Sequence, residues 1–149
     1  MIRLEVIEMA QPGMDDLNAL KAYAAVSDAG QYDVLNMSLR RAFDIVQRVS
    51  DVALLPGTFR ICAEDHPRTV NVYMGGKVTD VKDDRGVAVS HHQRGRCVYV
   101  GTDRYVEVIF TTEVNPADYD RLLPVVLRYA TAIYDGKDAK ELNQILKEC

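Results

Sequence analysis

The sequence lacks a basic excess. Lysine and arginine number 18 against 22 aspartate and glutamate, a formal net charge of −4. A free-standing nucleic-acid binder carries the opposite imbalance, so tight binding to DNA or RNA is not expected. Cysteine is scarce: Cys62, Cys97 and Cys149 are the three, an odd number without CxxC spacing. This argues against a disulfide framework and a cysteine zinc site, and fits reduced thiols in a cytoplasmic setting. No run approaches the roughly 18 apolar residues of a membrane span. Glu5 and Glu8 fall where a secretory leader needs uninterrupted apolar residues, so no leader is expected. What remains is an ordinary composition. The 149 residues are 48% hydrophobic and 27% charged, suited to one soluble domain and not to disorder, a collagen-like repeat or a rod.

Periodicity divides the chain into three blocks, expected to pack as one α+β domain over 1–149. Residues 1–55 read as mainly helical. Leu4, Val6 and Glu8 give a short alternating lead before the turn Gln11-Pro12-Gly13. Asp15 and Asp16 suit the first turn of a helix bearing Leu17, Leu20 and Ala24, broken at Ser27-Asp28-Ala29-Gly30. A longer helix follows, with Leu35, Leu39, Ala42, Phe43, Val46 and Val49 on one face and Arg40, Asp44 and Arg48 on the other. Pro56-Gly57 ends any helix there.

Residues 56–114 read as antiparallel β hairpins or a small sheet. Val70, Val72 and Met74 alternate, as do Val87 and Val89, Val98 and Val100, and Val106, Val108 and Phe110. Turn clusters separate them: Gly75-Gly76, Asp83-Asp84-Arg85-Gly86, Gln93-Arg94-Gly95 and Gly101-Thr102-Asp103. Residues 115–137 form a long helix capped by Asn115 and Pro116 and stopped by Gly136. Tyr119, Leu122, Leu123, Val126, Leu127, Ala130, Ile133 and Tyr134 line one face, and Pro124 predicts a kink or a delayed start. Residues 138–149 open on Asp138 and carry Leu142, Ile145 and Leu146 on a short terminal helix.

Chemistry-bearing patterns are weak. His66, His91 and His92, with Cys62 and Cys97, could supply a soft metal site. Adjacent histidines point to opposite sides of a strand, so an exposed turn after Val89 is the better account of His91 and His92. Ser90-His91 and Cys97 are the nearest nucleophiles, without a GxSxG elbow. Gly75-Gly76-Lys77 lacks P-loop spacing, and Asp80, Asp83 and Asp84 lack the EF-hand order, leaving turns. Arg94, Arg96 and Arg104 make the β block locally basic. In an acidic chain they read as a subunit-facing or partner-facing patch, and Arg40, Arg41 and Arg48 carry the same ambiguity. Tyr129 and Tyr134 read as core, or as subunit contacts. No catalytic, cofactor or metal residue is assigned, and a structural role is favoured over an enzyme.

The order of local strings resembles the head–tail connector (adaptor) family of tailed bacteriophages and prophages. Leu4-Glu5-Val6-Ile7 followed by Leu17-Asn18-Ala19-Leu20-Lys21-Ala22-Tyr23 is similar to that family's opening strand and first helix. Asp51-Val52-Ala53-Leu54-Leu55-Pro56-Gly57-Thr58-Phe59-Arg60-Ile61 resembles its passage from helix into strand. Arg96 to Val100 and Tyr105 to Thr111 resemble its last two strands, and Asn115 to Gly136 its closing helix. Asp135-Gly136-Lys137 departs from the family's usual asparagine-arginine pair after the tyrosine, and Pro124 departs from its unbroken helix.

The resemblance implies a non-catalytic virion protein without cofactors. It would form a ring of identical subunits beneath the portal at the head–tail junction, after assembly in the host bacterial cytoplasm. Its partners would be copies of itself, the portal protein and stopper or tail proteins, with no membrane. DNA would pass through without sequence-specific binding. The segment from Asp138 resembles the arm that docks on the portal, with Leu142, Ile145 and Leu146 as anchors; folding back on its own domain is the alternative. Another head-completion or stopper protein, or a small cytosolic metal-binding or enzymatic domain, stays open beside this reading.

Overall fold

Leu4 and Val6 of the first strand, β1 (Ile2–Met9), lie opposite Ile61 and Phe59 of β2 (Gly57–Ala63) in an antiparallel ladder. The pairing ties the first residues of the chain to its β region across an intervening helical segment. The computed structural model describes residues 2–24 and 32–149; the expected break at Ser27–Gly30 lies outside them. The chain forms two compact units. One comprises the described residues of Met1–Ala10 with Pro56–Glu113, the other those of Gln11–Leu55 with Val114–Cys149.

The first unit is all β. Its larger sheet runs β1-β2-β7-β4, with β4 at Lys77–Asp83 and β7 at Val106–Thr112. Every pairing is antiparallel. Strict alternation along β7 buries Val106, Val108, Phe110 and Thr112 on one face. Phe59 sits directly across from Phe110, and their rings stack with centroids 5.5 Å apart. Gly76 closes against this pair: a Cβ there would lie 2.1 Å from a ring carbon of Phe110, so only glycine fits. The smaller sheet runs β3-β6-β5, from β3 (Thr69–Asn71), β5 (His91–Arg94) and β6 (Cys97–Val100). Val70, Val98 and Val100 form its buried side.

Two sequence expectations are corrected here. Val87 and Val89 are not in a strand. Asp83 Oδ1 accepts the backbone N–H groups of Arg85 and Val87, closing a turn, and only an isolated bridge joins Lys82 to Ala88. The strand lies further on, so His91 and His92 occupy β5 and not a turn. Strand β4 escaped the pattern because a bulge between Val78 and Asp80 puts its apolar residues Val78 and Val81 three apart.

The second unit is helical: α1 (Met14–Tyr23), α2 (Tyr32–Ser50), α3 (Pro116–Tyr134) and α4 (Ala139–Leu146). Leu17 and Leu20 of α1, Leu35, Leu39, Ala42, Phe43 and Val46 of α2, and Leu122, Val126 and Ala130 of α3 are buried. Each large apolar side chain removed from water stabilises the unit by about 1.5–3 kcal/mol before entropy is counted. Val49 is a further correction: it is 52% exposed, because α2 ends one residue later and Asp51 takes a left-handed turn at φ 57°. The chain then folds back so that Gln47, not Val49, closes the helix end. Its Oε1 accepts the N–H groups of Leu54 and Leu55 at 3.1 and 3.3 Å. Asn115 caps α3 through Ala117 N at 2.9 Å. The helix passes through Pro124 without a delayed start. At its end Gly136 (φ 71°) donates to Ile133 O and Lys137 N to Ala132 O, the paired bonds of a glycine stop.

Candidate assembly surfaces

The smaller sheet shows how strand alternation sorts its residues. Gln93 pairs across β6 with Val98, which pairs with Val70, so all three lie on the inner side. Gln93 joins the two sheets: Oε1 accepts Val78 N at 2.9 Å, and Nε2 donates to Gly76 O at 2.8 Å. His92, Tyr99 and Thr69 form one row on the opposite face, and Arg94, Cys97 and Asn71 the next. That face is open to solvent. Tyr99 is 48% exposed, with the His92 ring stacked on it at 6.4 Å. Arg94 and Arg96 are both exposed beside the Gly95 turn (φ 57°). Neither Arg68 nor Arg94 has a carboxylate partner among the described residues.

The helical unit carries charge of the other sign at one place. The N-terminal turns of α1 and α3 meet where the Tyr119 hydroxyl donates to Asp16. Burial raises the ionisation of that hydroxyl well above the ordinary tyrosine range. The bond to Asp16 and the charges of Asp120 and Asp15 add to the rise. Beside this cluster, Met14, Leu17 and Tyr32 line an open groove of about 680 Å³, with the Lys21 ammonium 4.1 Å from the Tyr32 ring centre. On α2, Asp44 and Arg48 form the expected rung at 3.0 Å, Arg40 is half-buried and Arg41 exposed. Tyr129 is 5% exposed in the unit's own core, and Tyr134 is half-buried.

Helix α4 lies against α3. Asp138 caps it through Glu141 N at 2.9 Å, and an Arg128–Glu148 ion pair ties its far end to α3. Leu142, Ile145 and Leu146 are half-buried and none is fully covered. The structure therefore shows the folded-back arrangement with an apolar side still partly open.

The groups with potential for chemistry are placed as structural members. His66 is 8% exposed; its Nδ1 accepts Arg68 N at 3.2 Å, so its Nε2 carries the hydrogen and donates to Arg104 O at 2.5 Å. Glu5 is held below the usual carboxylate range, first by its bond from Arg60 (2.6 Å) and also by Arg3. Tyr105 lines a small cavity of about 50 Å³ with Arg3, Cys62 and Glu64. Its hydroxyl is pushed upward by Cys62, by burial and by the Glu107 carboxylate it donates to at 3.0 Å. Among the described residues no group of three or more His, Cys, Asp or Glu side chains is placed to hold a metal ion. No described helix is long and apolar enough to cross a membrane. Sequence reasoning missed Gln93 and Gln47, since a polar amide turned inward leaves no apolar periodic signal.

No protein-family model and no curated protein matches the chain. Solved structures do. One is a chain of the neck of an empty gene transfer agent (GTA) particle computed with C6 symmetry. It is 19% identical, with a TM-score of 0.61 over 89% of this chain and 84% of that one. A second belongs to the virion of a native gene transfer agent particle, at 14% identity and TM-score 0.59, covering 97% of this chain and 93% of that one. A third, from the neck of a native GTA particle computed with C12 symmetry, is 18% identical with a TM-score of 0.52 over 93% and 92%. The α+β fold is thus shared along nearly the whole chain with components of phage-like particles.

Proposed function

We propose that the protein is a structural component of a phage-like virion, a head–tail connector subunit that joins the head to the tail. In this role it assembles as a ring below the portal, extends the DNA channel, and works without catalysis or cofactor. The observation that carries this is the fold shared along nearly the full chain with neck and virion chains. It agrees with the order of strings in the sequence that resembles the connector family. Its partners are further copies of itself, the portal protein and stopper or tail proteins, and DNA passes without sequence-specific contact. Leu142, Ile145 and Leu146 on the partly open side of α4 are the portal-docking candidates. Arg40, Arg41, Arg48, Arg94, Arg96 and Tyr134 are the subunit-contact candidates, and Tyr129 joins them only if its unit loosens on assembly. The place of action is the head–tail junction, reached from the cytoplasm of the producing bacterium.

Deletion of the gene in a producing strain tests this. Filled heads without tails are expected, and removal of residues 138–149 should abolish capture by the portal. Tailed particles made normally without the protein would overturn the reading. A second reading, another ring of the neck such as a stopper or tail terminator, is favoured by the all-β unit with its two sheets. Cross-linking in the particle separates the two: contact with the portal supports the connector, and contact only with tail components supports the alternative.

A further inference from the structure

Charge in this chain is segregated more sharply than its total suggests. Residues 66–79 and 85–102 contain Arg68, Lys77, Arg85, Arg94 and Arg96 and not one aspartate or glutamate. These stretches hold all three strands of the smaller sheet and the turns that border it. The outer face combines the exposed Arg94 guanidinium with Tyr99, an exposed aromatic held in place by His92, and Arg68 and Arg96 are exposed at its borders. Arginine and tyrosine are the side chains that most often anchor protein interfaces. The complementary feature is on the other unit: Asp15 and Asp120 are exposed where the α1 and α3 N-terminal turns meet. The dipoles of two helix N-termini amount to about +1 charge together, which Asp15, Asp16, Asp118 and Asp120 outweigh even with Asp118 paired to Arg121.

We propose that the outer face of the β3-β6-β5 sheet, around Tyr99 and Arg94 and with the exposed Arg68 at its edge before β3, docks on the acidic α1/α3 end of a second copy of this chain. The inference rests on the ring reading above and names its contact surfaces. Two different patches make a heterologous contact, which leaves the growing assembly with one free patch of each kind, at its two ends, and gives a ring where the rotation closes. Steering between unlike charges raises the rate of correct encounter and disfavours pairing of like patches.

The test places p-benzoylphenylalanine at Tyr99, and separately at the exposed Asn71 of the same face, in a mixture of light and 15N-labelled chains. Photolysis is carried out on concentrated protein and on assembled particles. Cross-links between light and heavy chains, mapped to the α1 or α3 N-terminal turns, are expected. Their yield should fall at least tenfold in Arg68→Glu/Arg94→Glu and in Asp15→Lys/Asp120→Lys. It should return when these two variants are mixed, because each then supplies the sign the other has lost. Any of four results overturns the proposal: capture of another segment, links only within one chain, capture of nucleic acid instead, or no link in particles. A different self-contact in the particle would defeat this surface and leave the ring reading standing. Tailed particles formed without the gene would defeat the ring reading itself.

Discussion

Gln47 shows how one buried amide can hold a chain reversal. It is 0% exposed and its Oε1 serves two backbone N–H groups that have left the helix. Gln47→Leu keeps the volume and removes the acceptor, stranding both donors. A loss of about 2–4 kcal/mol is expected in urea unfolding, since each unsatisfied buried group costs about 1–3 kcal/mol. A change below about 1 kcal/mol would mean that water reaches the site. Tyr119 makes a second prediction. Its ionisation is raised in the folded chain, so its contribution is complete below the unfolded value of about 10 and is lost as pH rises through the folded one. Wild-type stability should fall more steeply above about pH 10 than that of Tyr119→Phe, measured as urea midpoints across alkaline buffers. Parallel curves would remove Tyr119 as the cause. Neither role could be read from sequence: Gln47 serves backbone groups beyond the end of its own helix, and Tyr119 a carboxylate on another helix.

Among the elements, regular periods were legible and interruptions were not. Helices α2 and α3 follow from their apolar spacing, and strand β7 from strict alternation. Strand β4 was hidden by its bulge, and β5 by a composition, His-His-Gln-Arg, in which Gln93 is half-buried and its neighbours are exposed. The same logic explains Val49, whose helical position is apolar but whose helix ends too soon to use it. Pro124 is the opposite case, a visible interruption that the helix tolerates. It is exposed, and it leaves the Asp120 carbonyl without its usual donor. Pro124→Ala should restore that bond and raise stability by about 1–3 kcal/mol, read as a higher thermal midpoint. An unchanged or lower midpoint would show that α3 is bent to suit its neighbours.

At the scale of the whole molecule, net charge misleads where its distribution informs. A total of −4 speaks against a basic face, yet residues 66–79 and 85–102, which hold the smaller sheet and the start of β4, carry five cations and no acid. Arg94 and Arg96 were visible in the sequence; that Arg94 shares a face with Tyr99 required the strand register. A cation-exchange resin at pH 7 and low salt should therefore retain this acidic protein. Release is expected near 0.15 M salt, where the Debye length is about 8 Å, and Arg68→Glu/Arg94→Glu should not bind. Flow-through of the wild-type chain would sink this expectation. The path of the backbone has a further consequence. The β unit opens with β1, is interrupted by residues 11–55, and resumes at Pro56; the helical unit is finished only by residues 114–149. During translation β1 leaves the ribosome before its partner β2 exists, and the apolar face of α2 waits for α3. A message cut short before α3 would release a chain with Leu35, Leu39 and Phe43 uncovered, the kind of surface that chaperones hold and proteases clear. The threading thus ties completion of the helical unit to the end of synthesis: only chains translated through α3 can bury both units.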